Sequence, residues 1–390
     1  MATARAQRVA IGALAVGVAV MSGIYAPQPL LSEIAREFGR SAFEANLVVS
    51  TTTLGIALGV FPMAALAARF GRGRSVAAGL CAAALLTAAT ATVPGWEALV
   101  VIRFLAGIAS SAVLVAAIVW TTSVVDRADA ARVAAMYVAG TTAGGITGRV
   151  LSGIVADAFG WRWGLLAVDA ALLIAAAVGL LLVRHAARRP PAPAAGHTRT
   201  VTPPPGARAL RLRLYALGGL GTAVFVGLFN ALTFRMTEPP FSLSLTAVSL
   251  LFLTYLAGTL SSMRTGILID RHGVRGATTI GAVIVIVGIA LTLSTILWVV
   301  IAGLLALAAG FFIVHATASG LVPRTIATPT TGSAWYTLFY YGGSSVGALG
   351  MGLAWDVGRW PAVVLLAGVL AAVSLLLAWS LPPRLLPTLP

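Results

Sequence analysis

Four ionisable side chains lie inside apolar stretches that are long enough to cross a membrane. They are Arg103, Arg149, Asp169 and His315. A charge in the hydrocarbon core is costly unless it is paired or faces water, so charges at that depth mark functional sites. Histidine titrates near neutral pH, and the environment of a carboxylate decides when it holds a proton. Two interpretations follow for these residues: a buried ion pair or another structural contact, and proton coupling.

Arg149 and Asp169 lie at equal distances from residue 159, which falls in the turn between two consecutive spans. Because consecutive spans run antiparallel, both residues are about 10 Å inside the membrane at about 1.5 Å of rise per residue. Equal depth permits contact, so we expect an ion pair. Such a pair would either hold two helices together or take part in proton exchange.

His315 and Glu44 each have a second interpretation. A hydrogen bond to a backbone carbonyl or to the neighbouring Thr317 would give His315 a structural role, and proton coupling is the alternative. Ser41 and Glu44 form the S-x-x-E pattern of a capping box, which predicts a helix start instead of a proton carrier.

Long apolar helices must hold these residues in the membrane, and the composition of the chain predicts such helices. Of the 390 residues, 59% are hydrophobic and only 9% are charged, which is typical of a membrane protein. Apolar runs of spanning length predict twelve transmembrane helices. The predicted spans are 9–29, 42–66, 75–93, 98–122, 132–156, 163–183, 213–235, 242–264, 276–293, 297–322, 333–354 and 361–381.

The basic residues predict the orientation of the chain. Lysine is absent, and the net charge of +15 comes from arginine. With both termini in the cytoplasm, 19 of the 26 Arg residues fall in cytoplasmic loops, as the positive-inside rule requires. We expect a multi-pass protein of the inner membrane, lying in the lipid bilayer, and no nucleic-acid partner.

Several classes of chemistry lack the residues they need. The single cysteine, Cys81, lies in an apolar span, so neither a disulfide within the chain nor a cysteine metal site is expected. Without lysine the chain has no Walker A loop for ATP. No nucleophile, base or metal cluster is visible, so we expect no enzyme, no catalytic residue, no metal and no cofactor.

A proline- and arginine-rich segment divides the chain into three regions. We predict a six-helix bundle over 1–183, a cytoplasmic linker over 184–212 and a second six-helix bundle over 213–390. The halves repeat: Tyr137, Gly140 and Gly144 recur as Tyr340, Gly343 and Gly347 at an offset of 203. Each copy then reaches an aspartate and a tryptophan turn, DAFGWRW from Asp157 and DVGRW from Asp356.

A charged hairpin also occurs twice, as AALAARFGRG from Ala64 and GILIDRHGVR from Gly266. Arg69 and Gly71 of the first copy align with Arg271 and Gly273 of the second. Asp270, in contrast, aligns with Ala68. The second hairpin therefore has an acid that the first one lacks.

These motifs resemble the major facilitator superfamily over nearly the whole chain. GILIDRHGVR resembles its signature hairpin, VIRFLAGIASS from Val101 its fourth-helix arginine motif, and AGTTAGGITGR from Ala139 its glycine-rich fifth-helix motif. The stretch from Tyr25 to Ser50 resembles the drug/proton antiporter or arabinose-efflux-permease branch. The resemblance implies an all-α membrane protein with twelve transmembrane helices in two pseudo-symmetric six-helix bundles, which work by alternating access with helices 1, 4, 7 and 10 lining the cavity.

The resemblance also implies roles for particular residues. It implies proton coupling for Arg103, whereas the first helix lacks the acid that many proton-coupled relatives have. It implies gating at the cytoplasmic hairpins, with Asp270 opposite the start of the fifth helix near Arg132, and Arg69 and Arg72 near Asp126 or Asp129. The gating candidates are Asp270, Arg271, Gly266, Gly273, Arg69, Arg72, Asp126 and Arg132.

Uncharged polar and aromatic residues on the cavity helices are the candidates for substrate binding. Such a lining suits a neutral, cationic or amphiphilic solute better than a polyanion. Helix packing and interfacial anchoring are the structural alternatives. The candidates are Tyr25, Gln28, Ser110, Asn230, Tyr336, Phe339 and Tyr340.

The sequence thus predicts a monomeric secondary transporter that exports a small organic solute or drug in exchange for protons. An importer or facilitator for a sugar or other metabolite stays open as an alternative, because the first helix has no acid. A non-transporting membrane receptor or assembly factor on the same fold is a further alternative.

Overall fold

The structure is a computed structural model that describes residues 2–187, 206–327 and 329–383. Within these ranges the chain is helical, without strands. The helices are α1 (Ala2–Tyr25), α2 (Leu31–Phe38), α3 (Ala42–Ala45), α4 (Leu47–Phe70), α5 (Arg72–Thr92), α6 (Trp96–Ser123), α7 (Arg127–Phe159), α8 (Trp161–Ala187), α9 (Ala207–Thr237), α10 (Leu245–Leu250), α11 (Tyr255–Leu291), α12 (Leu297–Leu321) and α13 (Pro329–Trp379).

The predicted twelve spans are confirmed. In the described ranges, nine helical stretches are long and apolar enough to cross a membrane. Two of them, Leu245–Leu291 and Thr331–Trp379, have 47 and 49 residues, and each contains two spans. They bend at Gly273 and at Gly358–Arg359. The remaining span is α7, whose glycines, threonines and charges lower its hydropathy.

The described residues form two compact units. Unit 1 contains 2–33, 51–187 and 244–249, and unit 2 contains 34–50, 206–243, 250–327 and 329–383. Each unit thus includes a short segment from the opposite half of the chain. Residues 188–205 of the predicted linker lie outside the described residues, and the domain boundaries stay a prediction.

Glycines bring two pairs of helices together within the units. In unit 1, α7 packs on α1: a methyl group on Gly144 would overlap the carbonyl oxygen of Val18, and one on Gly148 would lie 2.6 Å from that of Ser22. In unit 2, α13 packs on α9 in the same way through Gly347. Small residues let backbones approach closely in membranes, which explains the glycines of the sequence repeat.

Both hairpins turn at a glycine with positive φ. Gly71, between α4 and α5, has φ 95°, and Gly273, inside α11, has φ 71°. Side chains are disfavoured at such values because Cβ clashes with the backbone. The sequence alignment of the two hairpins therefore has a structural basis.

The predicted capping box at the start of α3 is confirmed. The hydroxyl of Ser41 accepts from the backbone N–H of Glu44 at 3.2 Å, and the Glu44 carboxylate accepts from the Ser41 N–H at 2.9 Å. Glu44 also pairs with Arg40 at 3.0 Å. These contacts account for Glu44 as a helix cap.

Candidate functional site

Arg103 on α6 binds the end of α1. Its side chain is completely buried, and it donates to the backbone carbonyls of Ile24 at 2.7 Å and Gly23 at 3.4 Å. The last carbonyls of a helix lack helical partners and carry partial negative charge, so a guanidinium suits them. The described contacts of Arg103 thus fix the end of α1, and its role in proton coupling stays a prediction.

Arg149 on α7 contacts the segment that follows α1. Its Nε donates to the side-chain oxygen of Gln28 at 2.6 Å, and its Nη1 donates to the carbonyl of Gly145. The Cζ of Arg149 lies 4.3 Å from the centre of the Tyr25 ring, a cation–π distance. Nearby, Ser152 donates to the carbonyl of Ala26 at 2.7 Å.

The expected ion pair between Arg149 and Asp169 is not formed, so that prediction is wrong. Asp169 on α8 is buried, and its Oδ1 has no hydrogen-bond partner among the described residues. The reason is the rotation of α7: the face that carries Gly148, Arg149 and Ser152 packs on α1. Equal depth therefore did not lead to contact.

Three charged or polar residues thus converge on residues 23–28, and we call this stretch the α1 end segment. Arg103, Arg149 and Ser152 donate hydrogen bonds to it. Helix α8 reaches it too, because a methyl group on Gly23 would lie 2.8 Å from Leu172, one helical turn from Asp169. In unit 1, the predicted proton-coupling residues therefore lie around one short stretch.

His315 lies in unit 2, on α12. Its Nδ1 is 2.9 Å from the hydroxyl of Tyr336, and its ring centre is 4.8 Å from that of Tyr340. The hydroxyl of Thr317 instead donates to the carbonyl of Ile313 at 2.8 Å. The expected structural partners, Thr317 or a backbone carbonyl, are therefore replaced by Tyr336.

The polar groups of several substrate candidates are bound by the protein itself. Gln28 accepts from Arg149, and Ser110 donates to the carbonyl of Ala106 at 2.8 Å. Asn230 donates to the side-chain oxygen of Asn46 at 2.7 Å, and both amides are completely buried. These three candidates thus have a structural role, because their polar groups form hydrogen bonds with other groups of the protein.

The aromatic candidates of α13 differ in exposure. Tyr336 is buried and packs on Gly218, whereas Tyr340 is half-buried and Phe339 is 37% exposed. Phe339 stacks on Tyr215 with ring centres 5.4 Å apart. Of the substrate candidates, Phe339 and Tyr340 therefore present the most accessible ring surface.

The gating candidates of unit 1 lie at exposed helix ends. Among the described residues, neither Arg69 nor Arg72 forms an ion pair with Asp126 or Asp129, so that expected pairing is wrong. The Arg69 guanidinium instead lies 5.3 Å from the centre of the Phe70 ring, because neighbouring positions on the helix end bring the two together. In unit 2, Gly266, Asp270 and Arg271 lie on the exposed face of the hairpin that bends at Gly273, and Arg132 is exposed near the start of α7 in unit 1.

Sequence reasoning missed Arg235 at the end of α9. This buried arginine donates to the carbonyls of Thr292 and Ser294, the latter at 2.7 Å, and lies 4.6 Å from the centre of the Trp360 ring. Trp360 donates to the same Thr292 carbonyl at 2.9 Å. Arg235 thus caps the end of α11, and its position at the edge of a span hid this role.

Asp157 and Asp356 were noticed only as part of the repeat. Asp157, which follows the predicted fifth span, accepts from the backbone N–H of Leu245 at 3.1 Å. Asp356 accepts from the N–H groups of Ala42 at 2.9 Å and Phe43 at 2.8 Å. Hydrogen bonds from the side chain of Thr246, and then from Ser244 and the backbone, lower the pKa of Asp157.

Long apolar helices in a repeated arrangement, with buried arginines at helix ends, define a helical membrane transport protein. Residues 13–348 match the Major Facilitator Superfamily, so the chain belongs to this family. It is therefore a multi-pass membrane transporter for a small molecule.

The chain is similar along nearly its whole length to bacterial transporters. The uncharacterized MFS-type transporter YybF of Bacillus subtilis (strain 168) is 28% identical over 384 residues, which cover 96% of this chain and 92% of YybF. The inner membrane transport protein YnfM of Escherichia coli (strain K12) is 28% identical over 395 residues, covering 98% and 92%. The crystal structure of the nucleoside transporter NupG has a TM-score of 0.69 at 14% identity, covering 96% of this chain and 97% of NupG, which shows a shared fold.

Proposed function

We propose that this transporter exports a small organic solute in exchange for protons across the inner membrane, and that Asp169 binds the exchanged proton. The observation that carries the proposal is the burial of Asp169 without a partner for its Oδ1. It is the only buried acid among the described residues. An ionised carboxylate without a partner is costly in a hydrocarbon environment, and a proton removes that cost.

The position of Asp169 supports a link between protonation and helix movement. It lies one helical turn from Leu172, which packs near Gly23 in the α1 end segment. That segment is held by Arg103 and Arg149. A proton on Asp169 removes a buried negative charge one helical turn from Leu172, so we expect the packing of α8 on the α1 end segment to change with protonation. Asp169 thus has the proton-binding role that an acid in the first helix has in many proton-coupled relatives.

The solute is expected to be neutral or cationic and partly apolar. The accessible rings of Phe339 and Tyr340 provide apolar surface, and His315 lies next to Tyr340. The polar groups of Gln28, Ser110 and Asn230 are bound to the protein in this state, so they must rearrange before they contact a solute. Tyr25 and Tyr336 complete the proposed substrate-binding set.

A metabolite facilitator is the second candidate, and the missing acid in α1 favours it. It would equilibrate its solute without moving protons. Proton dependence therefore separates the two functions.

The test begins with a thermal-shift screen of the purified protein at pH 6 and pH 8, with sugars, nucleosides and lipophilic cations as probes. A ligand that binds the folded state raises its melting temperature by mass action. Each hit is then tested in proteoliposomes that contain a pH-sensitive dye. Exchange predicts that uptake of the hit releases protons, and that Asp169→Asn abolishes this release while binding persists. Uptake without proton movement in the unchanged protein would contradict the proposal and favour the facilitator.

A further inference from the structure

Two arginines from different helices of unit 2 bind the residues that follow α13. Arg213 on α9 donates to the carbonyl of Ser380 at 2.6 Å, and the Nε of Arg275 on α11 donates to the carbonyl of Leu381 at 2.8 Å. The last carbonyls of a helix lack helical partners and carry partial negative charge, so a guanidinium suits them. Because the two acceptors belong to consecutive residues, the two cations lie near each other at one end of unit 2.

The apolar core of unit 2 holds this arrangement in place. The Leu381 side chain is completely buried, and it belongs to one apolar cluster with Leu214 and Val274. These two residues are the sequence neighbours of the two arginines. The backbone that carries both guanidiniums is therefore fixed before a ligand arrives, which lowers the entropic cost of binding one.

Both guanidiniums keep N–H groups for a further acceptor. An arginine side chain has several N–H donors, and the structure shows one hydrogen bond from each of these two side chains. Arg275 is exposed and Arg213 is half-buried. Within the described ranges, neither side chain forms an ion pair with an acid. Two neighbouring arginines without an acid favour an anion with several oxygens, such as a phosphate group.

An apolar crevice lies between α11 and α13 in the same unit. Ala282 and Val285 line it from α11, Ala371 and Ser374 line it from α13, and residues of α9 and α12 complete the lining. The crevice is partly open, and with its mouth it encloses about 350 Å³ without protein atoms. The Ser374 hydroxyl already donates to the carbonyl of Leu370 at 3.1 Å. Such a lining suits a hydrocarbon chain, because a polar solute would lose its hydrogen bonds with water there.

The arginines and the crevice are separated by a distance that one lipid molecule can span. Ala371 is nine residues before Ser380 along α13, and Ala282 is seven residues after Arg275 along α11. At about 1.5 Å of rise per residue, both helices place the crevice about 10–14 Å deeper in the membrane than the arginines. A phospholipid has its phosphate at the interface and its chains in the hydrocarbon core, which matches this order.

The outer surface of α13 indicates where this end of unit 2 lies in the bilayer. Leu376 is 63% exposed and Trp379 is 57% exposed, and they are about one helical turn apart. Exposed tryptophan is typical of the membrane–water interface, so the two arginines lie at the level of the lipid headgroups. The orientation predicted from the arginines assigns this end to the cytoplasmic leaflet, which contains anionic lipids.

We propose that unit 2 binds an anionic phospholipid at its predicted cytoplasmic end. Arg213 and Arg275 bind the phosphate group, and one acyl chain occupies the crevice between α11 and α13. The bound lipid joins the headgroup level of α9, α11 and α13 and thereby stabilises the unit. This site requires neither a bound solute nor a proton on Asp169.

The test measures the melting temperature of the purified full chain in dodecyl maltoside micelles. The micelles contain phosphatidylglycerol, phosphatidylcholine or no lipid, and a fourth sample contains inorganic phosphate at the concentration of the lipid. A ligand of the folded protein raises the melting temperature by mass action. We expect phosphatidylglycerol to raise it by about 2–4 °C more than phosphatidylcholine does. Inorganic phosphate should have a smaller effect, because it has no chain for the crevice.

Arginine variants test the headgroup contact. Arg213→Gln and Arg275→Gln should each remove most of the difference in melting temperature between the two lipids. The loss of a hydrogen bond to the end of α13 lowers the melting temperature in both lipids alike, so the difference isolates the contact with the headgroup. The matched control is Arg264→Gln, which removes the same charge from an exposed position on α11 and should leave the difference unchanged.

A second pair of variants tests the acyl chain. Ala371→Leu places a larger side chain in the crevice and should reduce the shift that phosphatidylglycerol produces. Ala372→Leu is the matched control, because Ala372 is the exposed neighbour of this residue. Equal shifts in the two variants would contradict the placement of the chain.

Each remaining outcome also decides. Equal shifts with both lipids overturn the proposal, and so does a loss in Arg264→Gln that equals the loss in Arg275→Gln. A shift with inorganic phosphate as large as that with phosphatidylglycerol shows a site for a free anion and overturns the lipid. If the arginine variants do not fold, the comparison of the additives on the unchanged protein decides. Because no solute or proton gradient is used, failure here leaves the proposed proton exchange untouched.

Discussion

The Nε of Arg149 donates a 2.6 Å hydrogen bond to the side-chain oxygen of Gln28, and both side chains are buried. Gln28→Ala removes the acceptor and leaves a buried guanidinium nitrogen without it. We expect a loss of about 1–3 kcal/mol in the free energy of unfolding. Thermal unfolding in detergent measures the change, with Gln7→Ala as the control, because Gln7 is exposed.

The absence of the Arg149–Asp169 ion pair changes the expected result of charge reversal. Arg149→Asp combined with Asp169→Arg should not recover the stability lost by the single variants, since the two residues do not contact each other. Recovery in this double variant would show that they pair in another state.

Gly144 should be intolerant of a larger residue. The extra methyl group of Gly144→Ala would overlap the Val18 carbonyl and force α1 and α7 apart, which should cost about 1–3 kcal/mol. Gly342→Ala is the matched control on α13, because nothing lies within 4 Å of its added methyl group. Equal melting temperatures for the two variants would argue against backbone contact between α1 and α7.

Arg103→Ala should lose pH-dependent transport and also some stability, because the Ile24 carbonyl loses its 2.7 Å donor. Arg103→Lys keeps the charge but lacks the planar fork that reaches two carbonyls. Transport of a hit from the ligand screen at pH 6 and pH 8 tests both variants. If Arg103→Ala transports with unchanged pH dependence, Arg103 has only the structural role.

The stability that the contact between Asp157 and Leu245 contributes should not depend on pH in the physiological range. Hydrogen bonds from Thr246 and its neighbours lower the pKa of Asp157 below its ordinary value of about 3.9. The stability that this contact contributes is present above that ordinary value and is lost as the pH falls through the lowered pKa. The difference in melting temperature between the unchanged protein and Asp157→Ala should therefore be constant between about pH 6 and pH 8. A difference that becomes markedly smaller toward pH 6 would contradict this assignment.

The two cytoplasmic hairpins should act unequally, because Asp270 has no counterpart at Ala68. Asp270→Asn is expected to shift the population toward inward-facing states, and Ala68→Asp toward outward-facing states, by removing or adding an acid that can stabilise a helix start. Cysteine cross-linking across the cytoplasmic gate measures both shifts. Unchanged cross-linking in both variants would refute the role of the hairpins.

The spans and the capping box of α3 could be predicted from the sequence because they depend on local patterns. Apolar runs of sufficient length and the Ser41–Glu44 box are contained in neighbouring residues. The depth of Arg149 and Asp169 also follows from helix rise, but the rotation of α7 does not. Gly148 packs on α1, and this contact sets the direction of Arg149.

Contacts between distant segments were beyond the reach of pattern analysis. Asn46 and Asn230 are 184 residues apart and bind each other, although each resembles an ordinary polar residue of a span. The aspartates of the repeated turns were visible in the sequence as part of the repeat, but their partners were not. Their recurrence suggested importance, but the capped residues, Leu245 and Ala42, became visible only in the structure.

The α1 end segment is held mainly through its backbone, and this determines which mutations can reveal it. Arg103 binds the carbonyls of Gly23 and Ile24, and Ser152 binds that of Ala26. A substituted side chain leaves these acceptors in place. Ile24→Ala therefore keeps the carbonyl that Arg103 binds, and residue 26 is already alanine, so an alanine scan tests neither bond. For these backbone contacts, substitutions of the donors on α6 and α7 show how much the transporter depends on the segment.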